Sequence, residues 1–247
     1  MNNHLLGQNT LKNQKGVTLI EMAVVVSIIA LLLAGTLGGT SLYQASKLRR
    51  LSTEIIQYET AIRTFKEEYH YWPGDFNQAT AFWSSDDSDV SDGGGDGFVQ
   101  AGYMDATGES LKVPNHLGNA ELIPRKYTGL ITDPGNVHFT AGVNVPQSQA
   151  FKNLVFAFES DSAAATEYIH GTHAGHFFRV ATLNANGEPW GTAESLNSKQ
   201  SKAVDEKIDD GKATTGRLVV TSCFTGREYT LSNTTKDCKL QFYIERF

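Results

Sequence analysis

The strongest constraint on this chain is an apolar run from Val17 to Leu33, opened by Lys15-Gly16 and carrying a single acid, Glu21. The run is about as long as a bilayer-spanning helix requires. A carboxylate inside hydrocarbon is costly and ordinarily has a partner. No Lys, Arg or His lies between Val17 and Leu42 to provide one. A cut after Gly16 would create an α-amino cation at Val17, and packed identical subunits would each offer one. On this reading an uncleaved monomer leaves Glu21 unpaired, and a cleaved, packed assembly satisfies it.

Gly16-Val17-Thr18-Leu19-Ile20-Glu21, followed by the apolar run, resembles the class III signal of type IV pilins and type II secretion pseudopilins. The resemblance implies cleavage between Gly16 and Val17 by prepilin peptidase, N-methylation of Val17, and pairing of Glu21 with the N-terminal amine of a neighbouring subunit. It also implies the peptidase and methyltransferase, other copies or other pilins, and an inner-membrane assembly platform as partners. Residue 17 departs from the family pattern, where Phe, Met or Leu is usual and this chain has Val. The implied location is the inner membrane as a single pass with a cytoplasmic N-terminus, then a periplasmic or cell-surface filament. Two blander readings remain: a secretory signal peptide cut near Leu33-Ala34-Gly35, and an uncleaved membrane anchor. The run exceeds the usual signal core of about 7–15 residues and has an acid near its start, which stands against the first. Loop charge does not orient the span, because Lys47, Arg49 and Arg50 match or exceed the basic residues before it.

Residues 1–16 are polar, with Lys12 and Lys15 and no acid, and read as a leader absent from the mature chain. Past the run, Gly35, Gly38 and Gly39 form a soft joint for a helix, since glycine costs about 1 kcal/mol there relative to alanine. Leu48, Leu51, Ile55, Tyr58, Ile62, Phe65 and Tyr69 then recur three and four apart, one apolar stripe. The expectation is one long helix over 17–70, membrane-spanning over 17–37 and amphipathic after that, followed by a globular domain over 71–247. Tyr71-Trp72-Pro73-Gly74-Asp75 ends the helix. That segment and the aromatic residues after it resemble the Pro-Gly-Asp-Phe region of large pilin-like proteins.

Strands are expected at Val155–Phe158, Phe177–Leu183, Leu218–Thr221 and Leu240–Ile244, and a short helix at Ser198–Ile208 with Ser198 as its cap. Ala203 to Gly211 with Thr214-Thr215-Gly216 also resembles a C-terminal segment of the pilin-like group. The expected class is α+β and pilin-like: a long N-terminal helix packed against a small antiparallel sheet. The net charge of −6 and the absence of a basic face argue against nucleic acid as partner. Export makes Cys223 and Cys238 one disulfide; a cytosolic chain would hold two buried thiols.

The acidic, glycine-rich stretch from Asp86 to Gly97 offers hard oxygen ligands, and pseudopilins use calcium in loops; Asp87, Asp89, Asp92 and Asp96 are the candidate ligands, against a plain solvated loop. An EF-hand is excluded because no glutamate closes the pattern. His170, His173 and His176 near Glu167 invite zinc, but the adjacent Gly171 and Gly175 and the lack of a His-Glu-x-x-His spacing favour surface histidines before a strand. Trp72, Trp83 and Trp190 read equally as core anchors or surface contacts. No nucleophile elbow, phosphate loop or dinucleotide fingerprint is present. The expected role is structural rather than enzymatic, with a membrane-anchored periplasmic enzyme or a minor tip adhesin as the alternatives.

Overall fold

The computed structural model describes residues 16–100, 108–130, 139–161, 174–189 and 195–246. The leader up to Lys15, His170, His173 and Trp190 lie outside them. The chain divides into two units, Met1–Ala45 and Ser46–Phe247.

Helix α1 runs Leu19–Tyr69, 51 residues. In the first unit its large apolar side chains are uncovered, from Leu19 at 89% exposure to Leu33 at 59%, and the helix is long and apolar enough to cross a membrane. Ser27 turns its hydroxyl back onto the Ala23 carbonyl at 2.8 Å, so the apolar stretch carries no dangling donor there. The α1 residues of the second unit bury the predicted stripe: Leu51, Ile55 and Phe65 have no exposure. The helix stops before Pro73 because His70 takes a left-handed conformation at φ 62°, its N–H returning to the Lys66 carbonyl at 2.9 Å.

The stripe packs on an antiparallel four-stranded sheet of order β1-β2-β6-β3, comprising β1 Val155–Asp161, β2 Gly175–Ala181, β3 Leu218–Thr221 and β6 Lys239–Arg246. Phe156, Phe158, Phe178, Val180, Leu240, Phe242, Leu218 and Val220 alternate onto the helix-facing side and share its core. Tyr58 of α1 meets Phe156 with ring centroids 4.6 Å apart. The intervening residues fill the opposite face, where Val155 and Ala157 pack with Leu111, Phe139 and Val145. The same face carries a Glu159–Arg179 ion pair at 3.1 Å. The two short strands β4 Phe224–Thr225 and β5 Glu228–Tyr229 make a separate hairpin. The α+β arrangement predicted from the sequence is therefore the observed one.

Both sheet edges are closed. On β3, the Asp209 carboxylate takes the Leu218 N–H at 2.7 Å and the Ala213 carbonyl takes that of Val220 at 2.8 Å. On β1, the carbonyls of Pro146 and Val99 accept from Phe156 and Ser160 at 2.9 and 2.8 Å. Edges covered in this way do not template strand addition.

Among the described residues the domain adds α2 Ala79–Trp83, α3 Glu109–Asn119 and α4 Ser198–Ile208. The cap of α4 is Asn197 rather than Ser198: Asn197 Oδ1 accepts from Gln200 N at 2.9 Å and Gln200 Oε1 from Asn197 N at 3.0 Å, a reciprocal capping box. Ser198 is already inside the helix, and its hydroxyl donates to the Cys223 carbonyl at 3.1 Å. Helix α3 was not expected, because Pro114 sits within it and lacks an N–H to donate. Burial of Leu111 and Leu117, each 1% exposed, holds it in place.

Candidate functional site

The N-terminal signal is built by a helix cap. Thr18 precedes the first residue of α1, and Glu21 is three residues on. Glu21 Oε2 accepts from the Thr18 N–H at 2.7 Å and from its hydroxyl at 2.8 Å, while the Glu21 N–H reaches Thr18 Oγ1 at 3.3 Å. This is a Thr-x-x-Glu capping box, which satisfies donors at a helix start that otherwise lack partners. The expectation that an uncleaved monomer leaves Glu21 unpaired is therefore corrected: the chain's own Thr18 holds it. Both bonds converge on Oε2. Gly16, which the signal places before the cut, has no atom within 4 Å of where a Cβ would stand, and Val17 is 62% exposed. The segment is thus open to another protein on both sides of the Gly16–Val17 bond.

The cysteines are joined: Cys223 and Cys238 form a disulfide with Cα atoms 5.6 Å apart. Ser195 Oγ donates to the Cys238 carbonyl, so both half-cystines are tied to the segment that starts α4.

The four aspartates read as calcium ligands are not brought together. Asp87 receives Asn115 and Asn119 side-chain amides at 2.8 and 2.7 Å. Asp92 accepts the Thr80 N–H and hydroxyl at 2.8–3.0 Å. The Asp89 N–H turns to Asp87 Oδ1 at 2.9 Å. Asp96 alone meets other acids, Asp75 and Glu109. Of these, Asp75 already accepts the Asp96 and Gly97 N–H groups at 2.9 and 3.0 Å, and Glu109 accepts those of Gly94 and Gln100. Burial pushes the Asp75 carboxyl up to about 6. Much of the stretch is exposed, Asp86, Asp92, Asp96 and Gly97 included, while at Gly93 it meets the Pro73-Gly74-Asp75 turn: a Cβ there would lie 2.2 Å from the Gly74 carbonyl.

Of His170, His173 and His176, His176 is described and is not on the surface. It lies in β2 at 2% exposure, 2.6 Å from Ser160 Oγ and against the Trp72 ring at 4.0 Å. Burial, aided by the Lys66 ammonium, pushes its imidazole down to about 4. Ser160 in turn accepts the Val99 N–H at 2.8 Å. The pair is a structural tie within the core, and no metal-type cluster among the described residues includes a histidine. Trp72 and Trp83 are core anchors, at 4% and 9% exposure.

Sequence reasoning missed the buried acids. Glu54 on α1 receives Ser148 Oγ at 2.6 Å and the N–H groups of Gln149 and Ala150 at 3.0 and 3.2 Å. Asp205 on α4 receives the Tyr229 hydroxyl at 2.8 Å and the Gly211 N–H at 3.1 Å. An acid on the polar side of a helical pattern reads as solvated, and nothing in the local sequence marks these two.

Residues 11–37 match the prokaryotic N-terminal methylation motif, which is the class III signal of type IV pilins and pseudopilins. The chain carries a prepilin-type N-terminus on an apolar helix suited to a membrane. No curated protein and no solved structure matches the chain.

Proposed function

We propose that this chain is a structural subunit of a type IV pilus or secretion pseudopilus. It is made as a prepilin, cleaved after Gly16 by prepilin peptidase, methylated on the Val17 amine and polymerised through α1. Before assembly it sits in the inner membrane as a single pass with its N-terminus in the cytoplasm, and an assembly platform there draws it into a periplasmic or surface filament. The carrying observation is a methylation motif that opens a helix whose large apolar side chains from Leu19 to Leu33 are uncovered. Such a helix demands lipid or the helices of other copies. The closed sheet edges support the same route, because strand addition is blocked at both ends of the sheet.

Glu21 acts as the register device. Thr18 occupies one carboxylate oxygen, and the amine of an adjacent Val17 takes the other, fixing the axial offset between neighbours. The test is the intact mass and N-terminal sequence of the membrane form with and without prepilin peptidase. A chain beginning at Val17 only when the peptidase is present is expected. A start near Gly35, or an intact Met1 in both samples, refutes the reading. Glu21→Ala is expected to be cleaved normally and to yield few filaments, and normal filament yield from it refutes the register role.

A further inference from the structure

We propose that Asn233 is an N-glycosylation site, taking a sugar from a donor activated by phosphate at its anomeric carbon. Asn233-Thr234-Thr235 is the only Asn-x-Ser or Asn-x-Thr tripeptide in the sequence, the pattern that N-linked sugar transfer requires. Such a tripeptide acts only where a transferase can reach it.

Asn233 lies between β5 and β6, in the segment that the Cys223–Cys238 disulfide closes. Leu231, Ser232, Thr234, Thr235 and Lys236 are exposed around it, and Asn233 itself is half-buried. The loop is held at both ends: the Asn233 N–H returns to the Thr230 carbonyl at 2.8 Å, and the Lys236 carbonyl accepts the Ser195 N–H at 3.0 Å. A sugar added at Asn233 therefore meets a fixed turn on the surface and displaces no strand of the sheet.

The geometry of the turn suits the chemistry. An amide nitrogen is a weak nucleophile because it shares its lone pair with the carbonyl. Asn233 Oδ1 accepts the Thr235 N–H at 2.9 Å, an Asx turn. A donor on that oxygen favours the form in which the nitrogen keeps its pair. Among the described residues Asn233 Nδ2 makes no hydrogen bond, and neither does the Thr235 hydroxyl. The acceptor nitrogen and the hydroxyl two residues on are thus both open to a transferase. In the transfer the bond from Nδ2 to the anomeric carbon forms and the bond from that carbon to the phosphate oxygen breaks. The phosphate leaves with the electron pair, and a base of the transferase takes the Nδ2 proton.

The test is a tryptic digest of the full chain purified from its own cells, in which cuts after Arg227 and Lys236 release residues 228–236 as one peptide. That peptide is expected to carry the mass of one or more sugars, placed on Asn233 by electron-transfer fragmentation. A single sugar and an oligosaccharide both support the proposal, and they separate a nucleotide-activated donor from a lipid-carried one. Asn233→Gln and Thr235→Ala are expected to lose the added mass entirely, and Thr235→Ser to keep it. An unmodified peptide in the native chain, sugar on Ser232, Thr234 or Thr235 in its place, or added mass that persists in Asn233→Gln overturns the proposal. The N-terminal peptide of the same digest reports cleavage at Gly16, so failure of the prepilin reading is seen separately.

Discussion

Asp205→Asn is expected to stabilise the protein at neutral pH and to leave it unchanged in acid. The Asp205 carboxyl has no exposure. Burial pushes it from an ordinary 3.8 up to about 7; the Tyr229 hydroxyl and Gly211 N–H pull it down, and the neighbouring charges of Asp209 and Asp210 push it up again. A carboxyl that titrates higher in the folded chain than in the unfolded one keeps its proton longer on folding. Its contribution is therefore fully favourable below about pH 4 and is lost as pH rises toward 7. At about 1.4 kcal/mol per tenfold change in proton affinity the ceiling is about 4 kcal/mol, and local relaxation places the expected loss at about 2–4 kcal/mol. Asparagine imitates the protonated acid in size and neutrality: its oxygen takes the Gly211 N–H at the Oδ1 position, and its amide, at the Oδ2 position, donates to a Tyr229 hydroxyl turned to accept. The assay is urea denaturation of native and variant chains from pH 3 to 8. The difference between them should be near zero at pH 3 and reach about 2–4 kcal/mol in favour of the variant by pH 8. A difference that does not change with pH, or a variant less stable at pH 8, refutes the assignment of Asp205 as a buried, proton-holding carboxyl.

Three further outcomes follow from buried or strained groups. Glu54→Ala removes the acceptor for Ser148, Gln149 and Ala150 and should cost about 3 kcal/mol in chemical denaturation, with Glu54→Gln costing about half of that; a loss under about 1 kcal/mol for the alanine variant counts against the tie. His116, fully buried, takes the Gly74 N–H on Nδ1 at 3.0 Å and faces the Ser91 carbonyl with Nε2 at 3.0 Å, and burial pushes it from 6.5 down to about 4. The unfolded chain thus binds a proton the folded one refuses, stability falls as pH drops from about 6.5 to 4 by about 3 kcal/mol at this site, and His116→Gln should flatten that acid slope, which urea midpoints at the two pH values will show. Glu121, exposed at φ 57° where α3 ends, sits in a turn whose Leu122 N–H returns to the Leu117 carbonyl at 3.0 Å; Glu121→Gly should raise stability by about 0.5–1 kcal/mol, and any destabilisation refutes the strain.

The parts of the molecule readable in advance were those whose cause is local. Leu48 to Tyr69 repeat at the helical period, so the burial of Leu51, Ile55 and Phe65 follows from spacing alone. The strand ranges came close for the same reason, because runs such as Leu240 to Ile244 alternate on a two-residue period. Helix α3 was unreadable because Pro114 and the polar Asn115, His116 and Asn119 argue locally for a loop, whereas packing buries all four. The role of Gly93 in the acidic stretch was unreadable for a related reason: it answers to the backbone of Gly74 and Asp75, which lie about twenty residues earlier.

Sequence alone determined the signal: the Thr18-to-Glu21 spacing that makes a capping box, the glycine before it, and an apolar surface too large for one chain to cover. Each depends on residues within a few positions of one another. Tertiary structure alone decided which acids lie inside. Glu54 and Ser148 stand 94 positions apart, and Asp205 meets Tyr229 24 positions on. A carboxylate leaves water only where donors converge to replace its hydration, and those donors arrive from distant parts of the chain once the fold has formed.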